Sequence, residues 1–189
     1  MTVVEKLRPG VQMPAWTAES LTSKTISSSD ISGNMALLTF YRYASCPVCA
    51  STLAQYRVRA GEITSRGVEL ISFFHSPVER MKVYFDPGSI PFEVVCDPER
   101  EIYERFRVTS RVSGLFDPRA LGGIVRSARY AIQRNPFSVD GSVAMMPADF
   151  LFDRDGRLLD SNYGAHVSDG WSVDEALAVI DRFRTARAA

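Results

Sequence analysis

The chain is expected to adopt an α/β fold around a sheet whose central strands are parallel and covered on both faces. Two nearly continuous apolar runs predict it, MALLTFY at Met35 to Tyr41 and VELISFF at Val68 to Phe74. Between them Cys49, Leu53, Tyr56, Ala60 and Ile63 recur at spacings of four, three, four and three, which is one face of a helix. The order strand, helix, strand then continues downstream, as in a layered α/β domain.

Taken in order, residues 1 to 34 are rich in Ser, Thr and Pro, with extended runs at Pro14 to Thr17 and Lys24 to Ile26. They read as an N-terminal hairpin closed by Ser27, Ser28, Ser29, Asp30 and Gly33. The first buried strand ends just before Cys46. The helix from Cys46 to about Arg66 is stopped by Gly67, and the Val68 to Phe74 strand follows. Pro77 to Phe85 reads as a helix, Phe92 to Val95 as a short strand, and Pro98 to Phe106 as another helix.

Residues 108 to 145 break this rhythm and read as a helical insertion in a single domain of residues 1 to 189. Inside the insertion, Asp117 as N-cap and Pro118 as first helical residue open a helix with Leu121, Val125, Ala128 and Ile132 on one face. Arg119, Arg126 and Arg129 lie off that stripe, and Gly122 and Gly123 weaken the helix by about 1 kcal/mol each. Ala148 to Phe152 and Arg157 to Ser161 then form a hairpin turning at Asp155 and Gly156. A last helix from Trp171 to Phe183 points Val173, Leu177 and Ile180 inward.

With 189 residues, 46% of them hydrophobic and 23% charged, the chain can bury a full core. The 22 basic and 22 acidic residues cancel, which argues against a nucleic-acid or membrane-surface role resting on bulk charge. No stretch is apolar for long enough to span a bilayer. The first residues, MTVVEKLRPGVQMPAW, hold neither an unbroken apolar segment nor a small-residue cleavage site, so a cytoplasmic location is expected. Residues 107 to 142 carry six Arg and two Asp. Such a cluster is either a solvated face or a lid or docking surface favouring an acidic partner or anionic substrate.

The three cysteines are Cys46, Cys49 and Cys96, too few for a disulfide framework. Cys46-Pro47-Val48-Cys49 follows a buried strand and opens a helix. There the unpaired N–H groups and the positive end of the helix dipole stabilise an anion and lower the pKa of the first thiol. Cys46 is therefore the expected nucleophile. Cys49 lies one turn further on and can resolve a sulfenic acid or mixed disulfide on Cys46. Pro47 suits the first turn, where no N–H bond is lost. Arg42 and Tyr43, just before the motif, are candidates to line the pocket and tune the thiol. Cys96 reads as a small hydrophobe at a strand end, His75 as a structural strand-end residue and His166 as a loop residue. A zinc site would need Cys96 and His75 to join the pair; no metal or other cofactor is expected.

These segments together resemble the thioredoxin-like superfamily, and within it the peroxiredoxin-like proteins of the alkyl hydroperoxide reductase and thiol-specific antioxidant type. The resemblance rests on LRPGVQMPAWTAES and ISGNMALLTFYRYASCPVC at the front, FFHSPVERM and PFEVVCDPEREIYERFRV in the middle, and MMPADFLFDRDGRLL at the back. It implies a central mixed sheet flanked by helices, Cys46 as peroxide-reactive or disulfide-attacking thiol, and Cys49 as resolving thiol. It also implies a cis peptide at Met146-Pro147 beside the disulfide. The usual proline and Thr or Ser ahead of the peroxidatic cysteine are replaced here by Thr39 and Tyr43, and C-P-x-C also resembles the pair of glutaredoxins and disulfide oxidoreductases.

The expected activity is thiol peroxidase, with Cys46 oxidised by a hydroperoxide and the resulting disulfide reduced by a dithiol partner such as a thioredoxin-like protein. Two alternatives stand beside it: exchange with a protein disulfide, and a non-catalytic redox-sensing module. The apolar stripe of the insertion helix leaves open both a homodimer contact and packing on the parent domain.

Overall fold

In the computed structural model, residues 5–31, 33–133, 139 and 141–186 are described. Both apolar runs lie at the centre of a mixed sheet. Its strands are β1 (Thr17–Ser20), β2 (Thr25–Ser27), β3 (Met35–Phe40), β4 (Val68–Phe74), β5 (Glu93–Cys96), β6 (Ala148–Phe152) and β7 (Leu158–Tyr163). Their order across the sheet is β2-β1-β5-β4-β3-β6-β7. β3, β4 and β5 run parallel, while β6 and β1 pair antiparallel with β3 and β5. The helices are α1 (Pro47–Thr64), α2 (Val78–Tyr84), α3 (Glu101–Arg105), α4 (Leu121–Gln133) and α5 (Val173–Ala186).

The two-residue period of β3 explains why its sequence is apolar throughout. Ala36, Leu38 and Phe40 enter an aromatic core with Phe73, Tyr103, Phe106 and Phe150. Within it the Phe40 and Phe73 rings stack at 4.5 Å between centroids. Met35 and Leu37 face the other way, beneath Tyr56 and Ile63 of α1 and Val173, Leu177 and Ile180 of α5. Both faces of the central strands are thus covered, and the end of β3 is held rigidly where the chain turns toward Cys46.

Several expected boundaries move for identifiable reasons. The hairpin's first strand begins at Thr17, because Trp16 is buried against Phe73 and Thr17–Ser20 serves both β2 and β5. α3 starts at Glu101, after Arg100 adopts a left-handed conformation; the Asp97 carboxylate accepts from the N–H groups of Glu101, Ile102 and Tyr103. Asp117 does cap with its side chain, accepting from Arg119 N–H at 2.9 Å, but Pro118–Ala120 form a 3-10 turn and α4 begins at Leu121. The side chain of Ile132 lies outside the described residues. Leu121, Val125 and Ala128 share a face as expected, yet that face is exposed. α4 turns Ser127 inward instead and packs across α1.

The Met146-Pro147 peptide is trans, which corrects the expected cis bond. Pro147 packs beside Gly164 and Gly170, where an added Cβ would meet its ring at 2.8 and 3.4 Å, and its carbonyl accepts from Gly164 N–H at 2.9 Å. This extended approach feeds β6 directly into its ladder, and trans is the ordinary, less costly isomer.

Candidate active site

The chain leaves β3 through Tyr41 to Ser45, a loop held by its own backbone. Tyr41 N–H donates to Phe73 C=O at 2.8 Å, and Ala44 N–H to Ser76 Oγ at 2.9 Å. The buried Tyr103 hydroxyl donates toward the carbonyls of Tyr41 and Phe73 at 2.7 and 2.9 Å, tying α3 to both strand ends. Cys46 N–H then closes a turn on Tyr43 C=O at 3.1 Å. Cys46 is the N-cap of α1 and Pro47 its first residue, so the sulfur stands where a capping oxygen would, accepting from Cys49 N–H at 3.2 Å.

Three donors converge on Cys46 Sγ. Besides the Cys49 amide, Arg42 Nη2 donates at 3.0 Å and the Cys49 thiol at 2.6 Å. Burial pushes the Cys46 thiol up, but the Cys49 thiol, the Arg42 charge and the Cys49 amide outweigh it and lower the pKa to about 6. Cys49 moves the opposite way, well above an ordinary thiol, because it is buried and faces the Cys46 sulfur. Burial disfavours the Arg42 cation, but both cysteines and Tyr43 hold it protonated. The pair is therefore a thiolate at Cys46 and a thiol at Cys49 over the neutral range.

Arg42 is itself fixed. Its Nη1 donates to the carbonyl of Val143 at 2.8 Å, its N–H to Cys49 Sγ at 3.4 Å, and its guanidinium lies over the Tyr43 ring at 5.5 Å. Its Nε is buried and has no acceptor among the described residues. Cys46 is 0% exposed, Cys49 4% and Arg42 6%. The thiols are thus sealed beneath a guanidinium strapped to Val143.

Of the other expected lining residues, Tyr43 and Pro47 stand at the site as turn carbonyl and helix start. Met146 packs with Ala120, Val167 and Leu115, and Pro147 beside the two glycines, so their described contacts lie away from the sulfurs. The Thr39 hydroxyl is bonded to Ser72 at 2.9 Å within the sheet. Burial, then Glu19 and Glu79, pushes Cys96 up to about 12. His75 is buried near the rings of Tyr43 and Tyr103, and His166 lies in a loop within 3.2 Å of Ser168 Oγ. No cluster of three or more His, Cys, Asp or Glu placed to hold a metal occurs among the described residues.

Three groups escaped the sequence reading. The Val143 carbonyl lies 101 residues from Arg42 and the Ser76 hydroxyl 32 from Ala44, separations that carry no local signal. The third, Asp149, is a structural group and not part of the thiol site: it is buried on β6 across from Thr39, and its Oδ2 accepts from Trp171 N–H at 2.7 Å and Asn162 Nδ2 at 3.3 Å. An acidic residue in an otherwise apolar strand was the available signal.

The AhpC/TSA family model matches residues 9–161. A Mycobacterium tuberculosis protein named as a peroxiredoxin is 28% identical over 102 residues, 54% of this chain; the match spans 65% of that relative's own length. Among solved structures, a cysteine-to-serine mutant of Arenicola marina peroxiredoxin 6 aligns with TM-score 0.71 and 19% identity, covering 95% of this chain and 75% of its own. A yeast mitochondrial 1-Cys peroxiredoxin, described for thiol resolution through glutathione and thioredoxin systems, aligns with TM-score 0.70 and 15% identity over 96% of this chain and 78% of its own. These structural likenesses bear on the fold.

Proposed function

Because the chain belongs to the AhpC/TSA family, we propose that it is a thiol peroxidase in which Cys46 reduces a hydroperoxide and Cys49 resolves the product. The observation that carries this reading is the Cys46 sulfur receiving Arg42 Nη2 at 3.0 Å and the Cys49 thiol at 2.6 Å. The Cys46 thiolate attacks one peroxide oxygen and the O–O bond breaks. Sulfur keeps that oxygen as a sulfenic acid, and the other leaves as alkoxide or hydroxide and takes a proton. Cys49 then attacks the Cys46 sulfur, forming the disulfide, and its proton leaves with the displaced hydroxide as water.

Arg42 does the electrostatic work of this scheme. Its Nη2 favours the thiolate, and its unpartnered Nε is a spare buried donor for a peroxide oxygen as charge develops. The short Thr or Ser hydroxyl that the family places near the thiol is replaced by the longer phenol of Tyr43, and the Thr39 hydroxyl is engaged with Ser72, so the arginine takes over the donor role. The raised pKa of Cys49 keeps it protonated until there is a sulfenic acid to resolve.

While Arg42 is strapped to Val143, burial favours a peroxide over a protein disulfide as the oxidant. A peroxide needs only a gap beside Arg42, whereas a protein disulfide must bring its sulfur into line with one that is 0% exposed. A dithiol reductant, thioredoxin-like in kind, meets the pair after the strap at Val143 opens. A reducing cytoplasm suits that cycle, and a redox sensor without turnover would lack it. The same reading takes residues 1–189 as one domain, the 108–145 insertion as its lid, and the exposed face of α4 as a contact between two copies.

The test is stopped-flow oxidation of the reduced protein by hydrogen peroxide, with thiols counted afterwards. Fast loss of two thiols, reduced to a persistent sulfenic acid in Cys49→Ser and abolished in Cys46→Ser, is expected. Oxidation no faster than that of a free thiol would overturn the reading.

A further inference from the structure

A cavity lies beside the start of β4, apart from the thiol site. β3 and β4 run in register from Met35 and Val68 to Phe40 and Phe73, and Cys46 follows their C-terminal ends. The cavity opens at the opposite end, beside Glu69, Leu70 and Ile71. Glu69 and Leu70 pair with Ala36 and Leu37 near the start of β3, while the Leu21 and Val94 wall reaches the apolar cluster that holds Cys46 and Cys49.

The strand register creates this space. The ladder between β4 and β5 begins only at Ile71 and Glu93, so no β5 residue pairs with Val68, Glu69 or Leu70. β1 meets β5 at just two positions, Glu19 with Cys96 and Ser20 with Val95, and then continues with β2 alone. The wedge between the hairpin and β4 is a cavity of about 500 Å³, within the range of about 300–1,000 Å³ typical of small-molecule sites.

Its walls are largely apolar, with Trp16, Leu21, Ile26, Ile31, Ile90 and Phe92 among them. Trp16 is 3% exposed, and its indole N–H has no acceptor among the described residues. The ionisable side chains among the lining residues are Asp30, Glu69 and Glu93, with no Lys, Arg or His. Asp30 and Glu69 are exposed and Glu93 half-buried; Asp30 accepts from Ser27 N–H at 2.7 Å and Ser27 Oγ at 3.0 Å, but none of the three carboxylates joins an ion pair among those described. Burial, then the Asp30 charge, raises the pKa of Glu69, as expected where negative charge faces negative charge unneutralised.

From the cavity's apolar walls and the one-sided charge among its lining residues, we infer that it binds a small organic cation, an ammonium group carried on an aromatic or branched aliphatic body. The body fills the space between Trp16 and Ile90, and the ammonium neutralises the carboxylates. The site shares no residue with the thiol centre, so it stands independently of the oxidant that Cys46 meets.

The chain has two tryptophans, so a Trp171→Phe background leaves Trp16 as the fluorescent reporter. The probes are 2-phenylethylammonium, the near-isosteric neutral 2-phenylethanol, and the anion 3-phenylpropanoate. Saturable quenching is expected in the order cation, alcohol, anion. Glu69→Gln should weaken the cation about tenfold while leaving the alcohol unchanged, and Ile90→Trp, which fills the space, should abolish binding by calorimetry. Equal affinity for cation and alcohol, indifference to Glu69→Gln, or binding that survives Ile90→Trp would each overturn the assignment.

Discussion

At the scale of single residues the chemistry reduces to one sulfur and one guanidinium. The Cys46 thiolate should titrate near 6, seen as a rise in far-ultraviolet thiolate absorbance that is missing in Cys46→Ser. Arg42→Met removes the charge and one donor, so the midpoint should climb toward the ordinary thiol value of about 8.5. Alkylation at pH 6 should then slow by about tenfold for each pH unit that the midpoint climbs, since only the thiolate reacts; an unchanged midpoint would remove Arg42 from the site's electrostatics. Cys96, pushed up to about 12 by burial and by Glu19 and Glu79, should stay unmodified in the folded protein at pH 8 while Cys46 reacts. Cys46 and Cys49 were legible because a helix start after a buried strand is a local pattern. Arg42 was legible as a neighbour only; its anchor, the Val143 carbonyl, comes from another part of the chain and is a backbone atom that any residue would supply.

At the scale of elements, the strands were the most legible parts because apolar runs report burial on both faces. Val68–Phe74 and Ala148–Phe152 fall on their expected bounds. α4 was legible as a helix but not in its packing. Periodicity defines a stripe, whereas the element that covers it is set by tertiary packing, and here α4 lies on α1 with Leu121 and Val125 turned outward. The chain passes close to the site at Gly141, where an added Cβ would clash with the His75 ring and fall 3.1 Å from Tyr43 Cβ. Gly141→Ala should therefore lift this segment or push His75 aside and loosen the strap on Arg42. The expected result is faster reaction of Cys46 with a bulky aromatic disulfide reagent, with little change toward hydrogen peroxide. Equal effects on both reagents would mean that the segment does not gate access.

At the scale of the whole molecule, two properties are spread over the fold: where apolar surface is exposed, and how charge is linked to folding. Seven of the ten exposed large hydrophobics among the described residues lie between Val112 and Val143, with Phe116 at 81% and Val125 at 65%. Scattered exposure would mean little, but this concentration is what the proposed contact between two copies rests on. A dimer in sedimentation velocity that Phe116→Asp dissociates is expected, and a monomer at every concentration would count against the contact. Folding is linked to pH through Asp149. Burial raises its pKa to about 7 against the hydrogen bonds from Trp171 and Asn162, while Glu175 and Asp169 add to the rise. The unfolded carboxyl titrates near 3.9, so between about pH 4 and 7 unfolding releases a proton. Stability from this group is therefore fully present below pH 4 and falls by up to about 1.4 kcal/mol per pH unit until pH 7, above which its loss is constant. Asp149→Asn keeps an oxygen acceptor for the Trp171 amide but cannot ionise. In denaturant melts, the difference between the variant and the natural protein should move in the variant's favour from pH 4.5 to 7 and then level off. Taking the difference cancels the opposing slope of Cys46, whose lowered pKa stabilises the reduced protein as pH rises from about 6 to 9 and contributes equally to both proteins. A difference that does not change with pH would mean that Asp149 folds already ionised, with its charge stabilised by its hydrogen-bond donors.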